Sequence, residues 1–113
     1  MTQASRKIRP QERELIEYLL KQIGFTTDDY PINEDVVEYE GGKMGSISMG
    51  EDPNLYDGDL IQVEYIDTDE TPVVITLTKD VNNKLLDLDF WKVDFSKLLV
   101  YPTPDKVVRN EAV

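Results

Sequence analysis

Two carboxylates, Asp87 and Asp89, stand one residue apart in the run Leu86-Asp87-Leu88-Asp89-Phe90. On an extended strand alternate side chains share a face, so both acids point the same way. Paired carboxylates can act as acid and base, as in glycoside hydrolysis. That work needs a cleft, a substrate platform and a raised pKa on one member. A chain of 113 residues leaves few loops to wall a cleft. The pair therefore reads first as a binding determinant, and a hydrolase using Asp87 and Asp89 is the less favoured alternative. Lys79, Lys84 or Lys92 would neutralise them across a sheet. Trp91, the only tryptophan, follows directly. It reads either as an interface anchor or as part of a small second core with Val93, Phe95 and Leu98. A β-bulge at Phe90-Trp91 would turn it inward, and packing is the preferred reading.

Other chemistries find little support. The chain has no cysteine and no histidine, which removes thiolate and imidazole metal sites, the Cys-His pair and the Ser-His-Asp triad. Asp52, Asn54, Asp57 and Asp59 invite a calcium reading. Counted from Asp52, however, the EF-hand pattern fails at Tyr56, Asp57 and Val63. Asp67, Asp69 and Glu70 read as turn chemistry at a hairpin tip. Gly41-Gly42 and Gly45 lack the spacing of a phosphate-binding loop. No cofactor and no metal are expected.

The net charge of −11 is uneven. From Asp28 to Glu70 there are fourteen acids and one base, Lys43, a balance of −13; the rest holds nine acids and eleven bases, a balance of +2. Such acidity repels phosphate backbones, excludes nucleic acid and suits a basic protein partner. No apolar run approaches the ~18 residues of a membrane span. The charged N-terminus lacks the apolar stretch of a secretory signal, so a cytoplasmic protein is expected.

The elements that must position these residues follow from periodicity. Ile61, Val63 and Tyr65 alternate with polar residues, as do Leu86, Leu88 and Phe90, while Val73, Ile75 and Leu77 form the matching set between them. Such alternation marks strands with one buried face. Pairing Tyr65 with Val73, Val63 with Ile75 and Ile61 with Leu77 keeps the apolar side chains together. Pairing Leu77 with Leu86, Ile75 with Leu88 and Val73 with Phe90 does the same, through a turn at Asp80-Val81-Asn82-Asn83. Leu15, Ile16, Leu19, Leu20 and Ile23 recur at helical spacing and predict a helix from Pro10 to Ile23, with Pro10 in its first turn and Gly24 as its left-handed stop. Arg6, Lys7, Arg9 and Arg13 read as a solvated approach to it.

Val36 to Met49 reads as a hairpin around Gly41-Gly42-Lys43, aligning Val37 with Ile47 and leaving Glu38 and Glu40 in water. Gly50 to Gly58 reads as a surface loop. Asp94 or Ser96 would cap a helical turn through Leu99. Met1 to Ser5 and Asp105 to Val113 read as loose ends.

The segment Leu88-Asp89-Phe90-Trp91-Lys92-Val93-Asp94-Phe95-Ser96-Lys97-Leu98 resembles the closing motif of a family of short bacterial proteins of unknown function. Ile8 to Leu20 resembles the opening helix of that family, and Met44-Gly45-Ser46 a central piece. The resemblance spans about Arg6 to Pro102 and carries no catalytic residue across.

The expected fold is α+β: one domain, ordered from about residue 6 to 102, with an N-terminal amphipathic helix packed on an antiparallel sheet of about five strands, a hairpin plus a three-stranded meander. The expected function is non-enzymatic protein binding, immunity-like or regulatory, through Asp87, Asp89, Trp91, Glu38, Glu40 and Glu64. The alternative is a self-associating structural domain, so the chain would be a monomer or a weak homodimer.

Overall fold

The computed structural model describes residues 5–39, 43–50 and 52–109. The chain runs β1 (Ser5–Lys7), α1 (Pro10–Gln22), β2 (Asp35–Glu38), β3 (Ile47–Ser48), β4 (Tyr56–Ile66), β5 (Pro72–Asp80), β6 (Leu85–Lys92) and β7 (Val108–Arg109). Short 3-10 turns lie at Pro53–Leu55 and Pro104–Lys106. All strand pairs are antiparallel, in the order β1-β2-β3-β6-β5-β4-β7. The architecture is α+β as expected, but among the described residues the sheet has seven strands rather than about five. The two additions are β1, from the end of the loose start and the basic approach to the helix, and β7, from the tail read as loose. Each has too few residues for period two to register, and each forms by pairing with an exposed edge.

Helix α1 behaves as its sequence dictates. Leu15, Ile16, Leu19 and Leu20 are fully buried and join Val36, Ile47, Val63, Ile75, Leu77 and Leu88 in one core. Burying each of these helix residues is worth about 1.5–3 kcal/mol. Their sum is comparable to the net stability of a small domain, so the sheet depends on this cover. The helix ends at Gly24, with φ +81°, where Gly24 N–H donates to Lys21 O and Phe25 N–H to Leu20 O. This is the left-handed stop read from the sequence. The basic approach is not simply solvated. Arg6 makes a two-pronged pair with the buried Glu12, at 2.9 and 2.7 Å, and its Nε lies 3.2 Å from Glu38.

The β4–β5 pairing follows the alternation: Tyr65 faces Val73, Val63 faces Ile75 and Ile61 faces Leu77. The β5–β6 pairing is displaced by two residues. Leu77 faces Leu88, Ile75 faces Phe90 and Val73 faces Lys92. The turn sits one residue later than expected, at Val81 to Lys84, and a bulge between Leu77 and Lys79 supplies the second residue. Thr78 Oγ1 steadies the bulge by accepting from Asp87 N–H at 3.0 Å. A shift of two leaves every face unchanged, so the core is as expected. It also brings Lys92 under the sheet.

The β2–β3 hairpin differs by one residue. Val37 faces Ser48 and Glu38 faces Ile47. Ile47 must lie beside Leu88 on β6, and that neighbour sets the face. Val36 is therefore buried in place of Val37, and Glu38 lies on the helix side, not in open water. The Gly41-Gly42 part of the expected turn and Glu40 lie outside the described residues.

Beyond β6 no helical turn forms at Lys97 to Leu99. Lys92, with no exposure, explains why. Its Nζ donates to Asp67 Oδ2 at 2.9 Å, Asp69 Oδ2 at 2.8 Å and Lys97 O at 3.0 Å. Asp67, also buried, accepts from the backbone N–H groups of Thr68, Leu99 and Val100 at 2.8, 2.8 and 3.1 Å. A helical turn would withdraw those donors into its own ladder. Burial opposes the Asp67 charge, but these donors and the Lys92 ammonium outweigh it and hold the carboxyl down at about 2, from an ordinary 3.8.

A carboxyl whose pKa is lower in the fold adds stability above its unfolded value and loses it as pH falls through the folded one. Asp67 should therefore contribute fully above about pH 4 and lose its contribution between about pH 4 and 2. Asp67→Asn should flatten the fall of unfolding midpoint across that window. Lys92→Ala, which strands a buried carboxylate, should lower Tm by more than about 10 °C at neutral pH. Thermal melts at several pH values read both effects, and an unchanged Tm for Lys92→Ala would show the pair to be dispensable.

Candidate functional site: the open face of the sheet

Strand alternation that sends Lys92 inward sends its neighbours outward. On the face away from α1, Ser48 lies beside Asp87, Thr76 beside Asp89 and Val74 beside Trp91. Gln62 and Glu64 continue the last two rows on β4. Asp87, Asp89, Trp91 and Glu64 thus share one surface, as their spacing required. Glu38 does not join them. It lies on the opposite face, 3.2 Å from Arg6 and 3.8 Å from Arg9. Glu40 lies outside the described residues.

Trp91 is 51% exposed, Val93 46% and Phe95 64%. The expected second core does not form, because β6 continues without a bulge at Phe90-Trp91 and keeps Trp91 on the open face. The Trp91 and Phe95 rings lie 6.2 Å apart at 40°, an edge-offset contact. Phe95 holds a left-handed φ of +62°, with its N–H donating to Lys92 O at 2.9 Å. The following Asp94–Ser96 turn supports it through Ser96 N–H at 3.0 Å.

The acids differ. Tyr39 Oη donates to Asp87 Oδ1 at 2.8 Å, and Asp87 is half-buried. Burial raises the Asp87 pKa, the hydrogen bond from Tyr39 opposes that rise, and the Asp89 charge adds to it. Burial likewise raises the Tyr39 phenol. Asp89 is exposed, with Ser46 Oγ 3.3 Å from its Oδ1. Two open hollows flank the row. One of about 340 Å³ is bounded by Asp59, Gln62, Thr76, Asp87, Asp89 and Trp91. The other, about 430 Å³, is bounded by Tyr39, Met44, Asp87, Asp89, Trp91 and Phe95.

Three lysines stood as neutralisers of the pair. Lys92 serves Asp67 and Asp69 on the other face, and Lys79 pairs with Asp57 at 2.7 Å. Lys84 makes no ion pair among the described residues. In the acidic loop, Asp52 accepts from Asn54 N–H at 2.9 Å and Asp59 from Tyr56 Oη at 2.6 Å. Among the described residues no three acids gather closely enough to hold a metal ion. Sequence reading missed Tyr39 and Phe95. The one-residue error in the β2–β3 hairpin put the wrong side chains of β2 inward and so hid Tyr39, and Phe95 lies beyond the last strand, where alternation carries no information.

These features define a small α+β domain with a helix-covered core and an open face that is acidic and aromatic. The chain belongs to a domain of unknown function, DUF6984, whose family model matches residues 5–102. No curated protein and no solved structure matches it. Among the described residues no helix is long and apolar enough to cross a membrane.

The order of the Asp87 influences gives two opposite expectations. Tyr39→Phe removes a hydrogen bond to the charged form and should raise the Asp87 pKa further. Asp89→Asn removes a like charge and should lower it. Carboxyl-carbon NMR titration of both variants measures this, and shifts of the reverse sign would show the assigned contacts to be absent in solution.

Proposed function

We propose that the open face is a non-enzymatic protein-binding surface for a basic partner, with Asp87, Asp89 and Trp91 as its centre and Glu64 at its rim. The observation that carries this is one juxtaposition: a half-exposed tryptophan on the same strand face as two carboxylates. A guanidinium laid over an indole gains a cation–π contact, and an adjacent carboxylate supplies the charge-assisted hydrogen bond. Phe95 widens the platform. The −11 charge would speed association and make it sensitive to salt.

The open shape of both hollows favours binding over hydrolysis, since an acid–base pair needs a site that excludes water. Self-association is the weaker reading. A symmetric dimer through this face would set Asp87 and Asp89 close to the acids of a second copy, and like charges there are costly. Short strands β1 and β7 also blunt both sheet edges. A bacterial, cytoplasmic, immunity-like role fits this size and charge by analogy alone.

Because Trp91 is the only tryptophan, its emission reports on the face directly. Titration with an arginine-rich peptide should shift it at low salt, and raising salt from about 0.05 to about 0.5 M should weaken binding by at least about tenfold. An acidic peptide should do nothing. Asp87→Asn with Asp89→Asn should reduce affinity while leaving the melt unchanged. An arginine-rich peptide that leaves Trp91 emission untouched at low salt would refute the reading.

A further inference from the structure

At the end of the sheet where β5 turns into β6 lies a second feature, unconnected with the open face. A hollow of about 280 Å³ is walled by Ile32, Met49, Leu55 and Leu85, with Asp80 and Lys84 among its polar lining. Its walls are pinned by main-chain contacts from four parts of the chain. Asn33 Nδ2 donates to Met49 O at 3.2 Å, Met49 and Gly50 N–H both donate to Leu86 O at 2.7 and 3.1 Å, and Val81 N–H donates to Leu55 O at 2.9 Å. Gly50 is required at this wall, because a Cβ there would lie 2.4 Å from Leu86 Cδ1. The hollow is therefore preformed, as ligand sites are.

Its charges are uncommitted. Asp80 is 4% exposed. Its Oδ1 accepts from Asn82 and Lys84 N–H at 2.8 and 3.0 Å, while Oδ2 makes no hydrogen bond or ion pair among the described residues. Among the described residues the buried side-chain polar atoms without a hydrogen-bond partner are Arg6 Nε and Tyr101 Oη, so Asp80 Oδ2 is open to water, which the donor of a ligand in the hollow can replace. Lys84, from the same turn, keeps its ammonium exposed and unpaired. An anionic group and a cationic group thus flank an apolar floor of aliphatic and thioether side chains.

We propose that this hollow binds a free α-amino acid with an aliphatic side chain. Its ammonium donates to Asp80 Oδ2, its carboxylate meets Lys84, and its side chain lies on Met49, Leu55 and Leu85. The volume lies at the lower end of the range for small-molecule sites.

The test is an NMR titration of the full chain with millimolar L-leucine, leucinamide and 4-methylpentanoate, following the amides of Asn82, Lys84 and Leu85. Leucine should shift them saturably. Leucinamide, which models a peptide N-terminus, should bind about tenfold more weakly, and 4-methylpentanoate, which lacks the ammonium, should not bind. Asp80→Asn keeps the oxygen that holds the turn and should abolish leucine binding. Lys84→Gln, at an exposed position that leaves the fold intact, should reduce leucine to the affinity of leucinamide. No saturable shift with leucine, or equal shifts with 4-methylpentanoate, would overturn the proposal.

Discussion

A buried lysine governs this fold more than any apolar contact does. An ammonium cannot be left beneath a sheet without partners; its desolvation would exceed what one packed side chain returns. Lys92 meets the demand by drawing in Asp67 and Asp69 from the β4–β5 turn and a carbonyl from Lys97. Asp67 in turn needs donors for its remaining lone pairs and finds them in the backbone of Leu99 and Val100. One charge thereby ties the end of β6, a hairpin tip and the outgoing chain into one unit. The segment after Phe95 must stay extended so that its N–H groups point at Asp67. It then passes Tyr65, whose hydroxyl donates to Val100 O at 3.0 Å, and delivers Tyr101 onto Phe90 with ring centres 5.2 Å apart.

The same parity decides what lies outside. With Leu88, Phe90 and Lys92 inward, Asp87, Asp89 and Trp91 have no choice but to face outward. A bulge at Trp91 would have buried the ring and exposed the ammonium, the opposite of what is found. The open face is therefore a consequence of the Lys92 pairing, and the acids and the tryptophan come as a set. Ion pairing elsewhere sharpens this. Arg6 and Arg9 attend Glu12 and Glu38, and Lys79 attends Asp57. These cations lie away from the Asp87–Asp89 row, where the hydroxyls of Tyr39 and Ser46 donate to the two acids.

Legibility in the sequence followed the length of the repeating pattern. Helix α1 and strands β4 to β6 carry enough alternation to declare their faces, and their core residues were readable one by one. Register was readable only where the turn was simple. The β4–β5 hairpin matched residue for residue, whereas the β5–β6 bulge, a local accommodation by Thr78, left no mark in the hydrophobic pattern. Strands β1 and β7, of three and two residues, were invisible, since they exist by pairing and not by propensity. Lys92 was misread because a lysine on a strand is assumed to be wet. Yet its number shares the parity of Leu86, Leu88 and Phe90, and two acids wait at the neighbouring tip; that conflict between pattern and polarity was the available signal.

Hydrogen-bond satisfaction separates the two surfaces proposed as sites. On the open face the carboxylates already have hydroxyl partners, in Tyr39 for Asp87 and Ser46 for Asp89, so a ligand there would add to satisfied groups and its affinity would rest on charge and on aromatic area. Such a site suits a protein partner, which supplies area. In the end hollow, by contrast, one oxygen of Asp80 makes no hydrogen bond among the described residues and is open to water, and the walls are held by main-chain hydrogen bonds. A small ligand contributes little area but can replace that water with a charged donor, in a hollow partly shut off from solvent. The two surfaces are built by different strand ends and by different chemistry, so occupation of one places no steric demand on the other.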